Sequence, residues 1–157
     1  MSYTTKTTIV IDHTFLNEGA KQDPKIQNIL IVLNRPIGSK ELFLKLLSVT
    51  NTIICSDGGA NRLRKFVEKH CAKNNQILPD YIVGDMDSLT EENQFFYKDA
   101  GVQFIQMEDQ NQTDLEKALV LAMKSSKKQK RIICHGSFGG RIDHTLAAIQ
   151  CLHKLSS

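Results

Sequence analysis

The sequence predicts an α/β domain of three layers (α/β/α), in which helices cover both faces of a mostly parallel sheet. Five short apolar runs each precede a polar loop and an amphipathic stretch, which is the pattern of successive strand–loop–helix units. Most of these runs are continuous and rich in β-branched residues and leucine, as in strands that are buried on both faces. The length of 157 residues suits one domain with its own core.

The predicted strands share polar or strand-breaking residues at their carboxyl ends. In chain order they cover residues 29–33, 52–55, 81–83, 102–106 and 131–135. Pro36 stops the first of them, because proline cannot donate a ladder hydrogen bond. Loops that contain or lead into an aspartate follow four of the five strands. Because parallel sheets bind ligands beyond the carboxyl ends of their strands, we expect the functional site at that edge.

The helices are predicted from their caps and their apolar stripes. Their starts, in chain order, lie near Ser39, Ala60, Ser88, Thr113 and Asp143. Ser88 with Glu91, and Thr113 with Glu116, have the spacing of capping boxes. The loop that precedes the second helix contains Asp57.

Composition and charge favour an ordinary globular protein, with 41% hydrophobic and 24% charged residues and a net charge of +3. One basic cluster consists of Lys124, Lys127, Lys128, Lys130 and Arg131. It lacks interleaved aromatic residues, so we interpret it as a solvated helix end and loop and predict no nucleic-acid partner.

The four cysteines show no Cys-x-x-Cys spacing, which favours reduced thiols in a cytoplasmic protein. The sequence has no apolar leader and no run of membrane-spanning length, so we expect no membrane association. Residues 1–25 are polar and are predicted to form an N-terminal arm, whose role the sequence leaves open.

Asp85 and Asp87 are the strongest candidates for chemistry, because they directly follow the predicted strand 81–83. Two carboxylates so close together repel each other unless a cation lies between them, and Mg²⁺ prefers such oxygen ligands. Other acids at this edge have ordinary alternative roles. Asp57 and Asp143 could be turn or N-cap residues, and Asp114 could complement a helix dipole.

The glycine-rich loop at residues 136–140, followed by Arg141, could approach phosphate oxygens through its backbone amides. It is not a P-loop, since Gly-Lys-Ser/Thr is missing, and it is not a dinucleotide fingerprint. On its own the loop is weak support for phosphate binding.

Four stretches together resemble the successive motifs of the thiamine pyrophosphokinase family, in the family's order and spacing. They are residues 56–63, 79–88, 109–114 and 139–144. The resemblance extends from about Ile29 to Leu152 and implies a Rossmann-like, ATP-binding catalytic domain at residues 26–157. It also implies Mg²⁺-dependent transfer of a diphosphate group from ATP to thiamine, giving thiamine diphosphate and AMP.

The resemblance implies a role for each matching residue. Asp85, Asp87 and Asp114 would hold Mg²⁺, and Asp57 and Asp143 would complete the acidic site. Contacts with nucleotide or phosphates would come from Asn61, Lys117, Ser137, Gly139, Gly140 and Arg141, with Gln110 toward the thiamine. Asp57 and Asp143 are both candidates for taking the hydroxyl proton.

Members of this family continue into a β-sandwich domain that supplies part of the thiamine pocket and the homodimer interface. This chain stops soon after Leu155, so we expect either an excised catalytic domain or a truncated relative. Two alternatives stay open from the residues alone. One is a haloacid-dehalogenase-type phosphatase with Asp85 as nucleophile, and the other is a non-catalytic nucleotide-binding module.

Overall fold

The architecture is taken from a computed structural model that describes residues 16, 23–72, 76–109, 111–125, 129–138 and 142–156. Most of the predicted N-terminal arm lies outside these residues, so its role and the boundary at residue 25 stay predictions. Leu16 is described, and it packs against the hydrophobic core.

Five strands form one parallel sheet, as the sequence predicts. They are β1 (Ile26–Val32), β2 (Thr52–Ser56), β3 (Tyr81–Gly84), β4 (Gln103–Gln106) and β5 (Gln129–His135). Their order across the sheet is β4-β3-β2-β1-β5, and all four neighbouring pairs are parallel. The interior strand β1, which lies between β2 and β5, is fully buried from Ile29 to Val32, which explains its continuous apolar run.

Five helices cover the two faces of the sheet and complete three layers. They are α1 (Lys40–Val49), α2 (Asp57–His70), α3 (Glu91–Asp99), α4 (Asp114–Lys124) and α5 (Ile142–Ser156). Helices α1, α2 and α3 pack on one face, around Phe43, Leu63 and Tyr97. Helices α4 and α5 pack on the other face, where Ala118 and Ala148 belong to a second apolar cluster. The predicted three-layer fold is therefore confirmed.

Most of the predicted caps are also confirmed. The Ser39 hydroxyl accepts a hydrogen bond from the Leu42 amide at 3.2 Å. Thr113 and Glu116 form a complete capping box at the start of α4. Such caps satisfy amides that the helix itself leaves without partners.

Two predictions about helix starts are wrong. The third helix begins at Glu91 with Thr90 as its N-cap, not Ser88, because the Ser88 amide donates instead to the distant Asp57 carboxylate. Asp57, expected in a loop, is the first residue of α2, and Ser56 is the N-cap whose hydroxyl accepts from the Gly59 amide. The glycine at position 59 permits this early start, since a Cβ there would lie 2.0 Å from the Val32 carbonyl oxygen.

Across the described residues, none of the helices combines the length and the apolar character that crossing a bilayer requires.

Candidate active site at the carboxyl edge of the sheet

Three aspartates converge where β2 and β3 end. Asp57 opens α2 directly after β2, while Asp85 and Asp87 lie in the loop that follows β3. One carboxylate oxygen from each residue lies within 4.8 Å of the others. Asp57 is only 2% exposed, whereas Asp87 is open to solvent. The pair predicted from sequence is therefore joined by a third, buried carboxylate.

The backbone of the loop after β3 turns sharply between its two acids. Met86 has a φ of 74°, which is the left-handed region that L-residues with a side chain rarely occupy. The Asp87 amide donates to Asp85 Oδ1 at 3.3 Å across this turn. The Met86 side chain packs against the core, which helps to hold the turn. This turn allows both carboxylates to face the same small volume.

Gly84 makes room for the buried acid. Its φ is +152°, and a Cβ at this position would lie 3.1 Å from Cγ of Asp57. Any larger residue would therefore press on the Asp57 carboxyl group as well as strain the backbone. The glycine that ends β3 is thus required by the packing of the acidic site.

The environment of Asp57 disfavours its charged form. Its carboxylate accepts hydrogen bonds from the Gly58 amide at 2.6 Å and from the Ser88 amide at 3.2 Å. Burial nevertheless raises the pKa of Asp57 above its ordinary value, and the negative charges of Asp114 and Asp85 act in the same direction. A cation placed among these acids would relieve this cost.

Asp85 shows the opposite shift. Its pKa is lowered chiefly by the hydrogen bond from the Asp87 amide. Hydrogen bonding with the carboxyl groups of Asp87 and Asp57, and the positive charge of Lys117, lower the pKa further. Asp85 thus favours its charged form, which is the form that binds a cation.

The residues of this cluster fit a hard divalent cation. Mg²⁺ prefers oxygen ligands and uses a few carboxylates together with water or substrate phosphates. Asp85 and Asp87, predicted as metal ligands, belong to the cluster, with Asp57 as the third member. Asp114 lies outside this group of three, although its charge affects Asp57. Its assignment as a ligand stays a prediction.

A cavity of about 400 Å³ opens beside the acids. This volume falls in the range of small-molecule sites. The ends of β1 and β5, the start of α4, part of α5 and the acidic loop form its walls. The lining residues are Leu33, Asn34, Arg35, Asp85, Ser88, Gln112, Thr113, Asp114, Leu115, Lys117, Gly136, Ser137, Ala147 and Ala148.

The capping box of α4 places two of the predicted residues in this cavity. Asp114 is the first residue of the helix and Lys117 lies one turn further along. Lys117 is only 3% exposed, so its ammonium group is held among protein atoms. A buried cation beside a cavity and next to acids is well placed to attract phosphate oxygens.

The other predicted site residues divide into three groups. Ser137 is buried and lines the cavity. Asn61 does not belong to the cavity lining, and its amide contacts Ser88, Thr90 and Asn93 instead. Asp143 is exposed in the first turn of α5 and is likewise not part of the lining. Gln110, Gly139, Gly140 and Arg141 lie outside the described residues, so their roles stay predictions.

Sequence reasoning missed the contribution of the first strand. Asn34 and Arg35 line the cavity, although the sequence suggested only that this segment ends a strand. Arg62 on α2 holds the Asn34 side chain by donating from Nε to Oδ1 at 3.0 Å. Parallel sheets bind ligands beyond the carboxyl ends of their strands. Since β1 is one of these strands, the same rule predicts that Asn34 and Arg35 lie at the site.

An all-parallel α/β domain with a cavity and an acidic cluster at the carboxyl edge is a Rossmann-like domain with a candidate ligand site at its strand ends. A family model described as the catalytic domain of thiamin pyrophosphokinase matches residues 43–157. The chain therefore belongs to the thiamin pyrophosphokinase family, as the motifs suggested. This membership favours the pyrophosphokinase interpretation over the phosphatase alternative.

Individual relatives agree with the family match. The chain is 34% identical over 112 residues to thiamine pyrophosphokinase 1 of Arabidopsis thaliana, covering 64% of this chain and 42% of that protein. It is 34% identical over 93 residues to thiamine pyrophosphokinase of Saccharomyces cerevisiae, covering 59% and 29%. The chain thus spans less than half the length of these two relatives.

Solved structures show the same fold. The yeast thiamin pyrophosphokinase structure superposes with a TM-score of 0.74 at 24% identity and covers 92% of this chain and 58% of that one. The Candida albicans thiamin pyrophosphokinase gives a TM-score of 0.70 at 24% identity, with 82% and 54% covered. The Bacillus subtilis enzyme gives 0.56 at 30% identity, with 82% and 55% covered.

Proposed function

We propose that this chain supplies the catalytic domain for Mg²⁺-dependent transfer of diphosphate from ATP to thiamine, which gives thiamine diphosphate and AMP. Family membership supports the reaction. The observation on which the proposal chiefly rests is the cluster of Asp57, Asp85 and Asp87 beside a cavity that also contains Lys117. Acids for a metal and a buried cation for phosphates are what diphosphate transfer requires.

In this proposal, Asp57, Asp85 and Asp87 hold Mg²⁺, and Asp114 contributes charge or a further ligand. When bound, the metal neutralises phosphate charge and orients the transferred group. Lys117 binds phosphate oxygens beside the acids, because it lines the same cavity as Asp85 and Asp114. These residues together fix the diphosphate in place for attack.

The chemistry needs no protein nucleophile. The hydroxyl oxygen of thiamine forms a bond to the β-phosphorus of ATP while the bond from that phosphorus to the oxygen shared with the α-phosphate breaks. AMP leaves with that oxygen, and the hydroxyl proton passes to a carboxylate. Of the two acids that the sequence suggested for this proton, Asp143 is the candidate, because Asp57 is a metal ligand in this proposal. Catalysis then consists of positioning and charge neutralisation.

The remaining roles in the proposal come from the resemblance. Gln110 lies toward thiamine, and Ser137, Gly139, Gly140 and Arg141 contact the nucleotide. The working enzyme is a cytoplasmic homodimer when the family's β-sandwich domain is present. Neither nucleic acid nor a membrane is a partner.

Calorimetry followed by a turnover assay tests the proposal. We expect this chain to bind ATP in the presence of Mg²⁺ and to bind it much more weakly in EDTA, while it transfers diphosphate to thiamine poorly. The variant Asp85→Asn should lose the metal-dependent part of ATP binding. In an enzyme that contains the full C-terminal region, the same substitution should abolish transfer.

Two outcomes would contradict the proposal. ATP binding that is indifferent to both Mg²⁺ and the Asp85→Asn substitution would remove the metal-site assignment. Full turnover by this chain alone would show that no second domain is needed for thiamine transfer.

A further inference from the structure

Helix α2 contacts the metal-loop, defined here as residues 85–90, through two side chains one turn apart. Asp57 accepts a hydrogen bond from the Ser88 amide at 3.2 Å. Asn61 Nδ2 donates to the Ser88 carbonyl oxygen at 2.7 Å. Residues four apart on a helix lie on the same face, so α2 contacts both the N–H and the carbonyl group of Ser88.

The amide of Asn61 is almost fully used by these and neighbouring contacts. Its Oδ1 accepts from the Thr90 amide at 3.3 Å, from the Thr90 hydroxyl at 3.4 Å and from Asn93 Nδ2 at 2.6 Å. Together with the bond to the Ser88 carbonyl, this leaves one N–H of Asn61 for any other partner. Asn61 is also not part of the cavity lining.

Groups with a fixed hydrogen-bonding role set the direction of this amide. The backbone N–H of Thr90 can only donate and the carbonyl of Ser88 can only accept, so Oδ1 and Nδ2 of Asn61 have one consistent assignment. Asn93 is oriented in the same way, because Arg64 Nη1 donates to its Oδ1 at 2.5 Å. Arg64 is itself fixed by Glu68, by Glu92 and by the Phe96 ring beneath it.

The metal-loop needs such support because of its conformation. Met86 is in the left-handed region, and two acids of like charge flank it. Backbone strain of this kind persists only where the surrounding structure fixes it. Asp57 fixes the loop through the Ser88 amide, and Asn61, which does not line the cavity, fixes it through the Ser88 carbonyl.

We propose that Asn61 is a positioning residue for the metal site, that Asn93 sets its orientation, and that Asn61 is not a nucleotide contact. The inference rests on the proposed metal role of Asp57, Asp85 and Asp87. It departs from the role that the family resemblance implied for Asn61. Residues that orient metal ligands commonly change metal affinity by about 10–100-fold when they are replaced.

The test measures Mn²⁺ affinity by electron paramagnetic resonance, together with the thermal unfolding of the metal-free chain. Asn61→Ala removes both sets of contacts. Asn61→Asp keeps the shape but places an oxygen against the Ser88 carbonyl oxygen. Both should lower Mn²⁺ affinity by about tenfold or more. Asn93→Asp places an oxygen against Asn61 Oδ1, so it should also lower the Mn²⁺ affinity.

Two control variants separate positioning from general loosening. Tyr97→Phe removes a buried hydrogen bond from the Tyr97 hydroxyl to the Ala60 carbonyl at 3.0 Å, in the same α2–α3 contact but away from the metal-loop. It should lower the unfolding temperature and leave Mn²⁺ affinity unchanged. Glu91→Gln changes an exposed residue in the first turn of α3 that takes no part in the contacts described above, and it should change neither quantity.

Asn61 variants that bind Mn²⁺ as tightly as the parent chain would overturn the positioning role. So would a Tyr97→Phe variant that loses as much Mn²⁺ affinity as the Asn61 variants do. Weaker ATP binding by Asn61→Ala in EDTA, with Mn²⁺ affinity unchanged, would make Asn61 a nucleotide contact after all. A parent chain that binds no Mn²⁺ would overturn the proposed metal site and this inference together, and no other outcome does so.

Discussion

The carboxyl group of Asp57 packs directly over Gly84, so closely that a methyl group on that glycine would lie 3.1 Å from the Asp57 Cγ atom. Gly84 ends β3 and Asp57 begins α2, which means that the acidic cluster is joined across two neighbouring units of the fold. This contact links the stability of the sheet edge to the geometry of the acids.

Gly84→Ala should therefore destabilise the chain and disturb the metal site together. We expect a loss of about 1–3 kcal/mol in the free energy of unfolding, from the strained φ and from pressure on Asp57. Mn²⁺ affinity should fall as well. Urea unfolding and metal titration measure the two effects. Gly38→Ala is the control, since a Cβ at Gly38 meets nothing within 4 Å. Unchanged metal affinity in Gly84→Ala would contradict the close packing.

Asp57→Asn and Asp114→Asn distinguish the carboxylate cluster of the structure from the ligand set that the resemblance implies. Asp57 belongs to the cluster of three carboxylates, whereas Asp114 does not. Asp57→Asn should therefore lower Mn²⁺ affinity by about tenfold or more, on the order of 1.4 kcal/mol, and by more than Asp114→Asn. Metal titration of both variants is the measurement. A larger loss in Asp114→Asn would favour Asp85, Asp87 and Asp114 as the ligands.

Lys117→Met should affect nucleotide and metal binding in opposite ways. The ammonium group attracts phosphates, so its removal should weaken ATP binding by about tenfold. The same group repels a metal ion near Asp85, so Mn²⁺ affinity in the absence of ATP should not fall. Calorimetry with each ligand checks this. Lys124→Met, an exposed position at the end of the same helix, should change neither affinity. If Lys117→Met lowered the affinity for ATP and the affinity for Mn²⁺ alike, this role for Lys117 would be contradicted.

His135 should make the chain less stable in mild acid. Its ring lies 5.1 Å from that of Phe43, and its Nε2 is buried without a hydrogen-bond partner among the described residues. Burial lowers the pKa of His135 below its ordinary value. Below a pH of roughly 6.5, the unfolded chain gains a proton that the folded chain does not, so stability falls as the pH falls.

His135→Leu removes this proton uptake. The plot of unfolding free energy against pH should become shallower between about pH 7 and pH 5, by at most about 1.4 kcal/mol per pH unit for one proton. Urea unfolding at several pH values measures the slope. Equal slopes in the parent and the variant would show that His135 does not bind a proton differently in the folded and unfolded chains.

Local patterns were sufficient to predict most of the fold. Apolar runs identified all five strands, and the runs of β1, β2 and β3 are continuous because a strand covered on both faces needs no polar side. The cap of α1 and the capping box of α4 depend on residues three positions apart, so the sequence alone reveals them. The acidic pair Asp85 and Asp87 was equally visible, since both residues follow one strand.

Contacts between distant residues decided what the sequence could not predict. Ser88 has the residues of a capping box, but its amide donates to Asp57, and α3 starts later. Asn61 lies in a stretch that resembles a family motif, and the motif does not reveal that its amide oxygen accepts from Thr90 and Asn93. Its role as a nucleotide contact stays a prediction. The competing partners come from other elements, and the order of the strands determines which elements meet.

That strand order separates two parts of the site by their distance along the chain. The acidic cluster comes from one continuous segment, residues 57–88, whereas one part of the cavity wall joins residues 33–35 to residues 136–137 through the β1–β5 pairing. Closing a long loop costs more entropy than closing a short one, and contacts of long range form slowly. We therefore expect the acids to assemble early in folding and the cavity to close last, when β5 docks. In pulsed hydrogen exchange, amides of β2 and β3 should gain protection before those of β5.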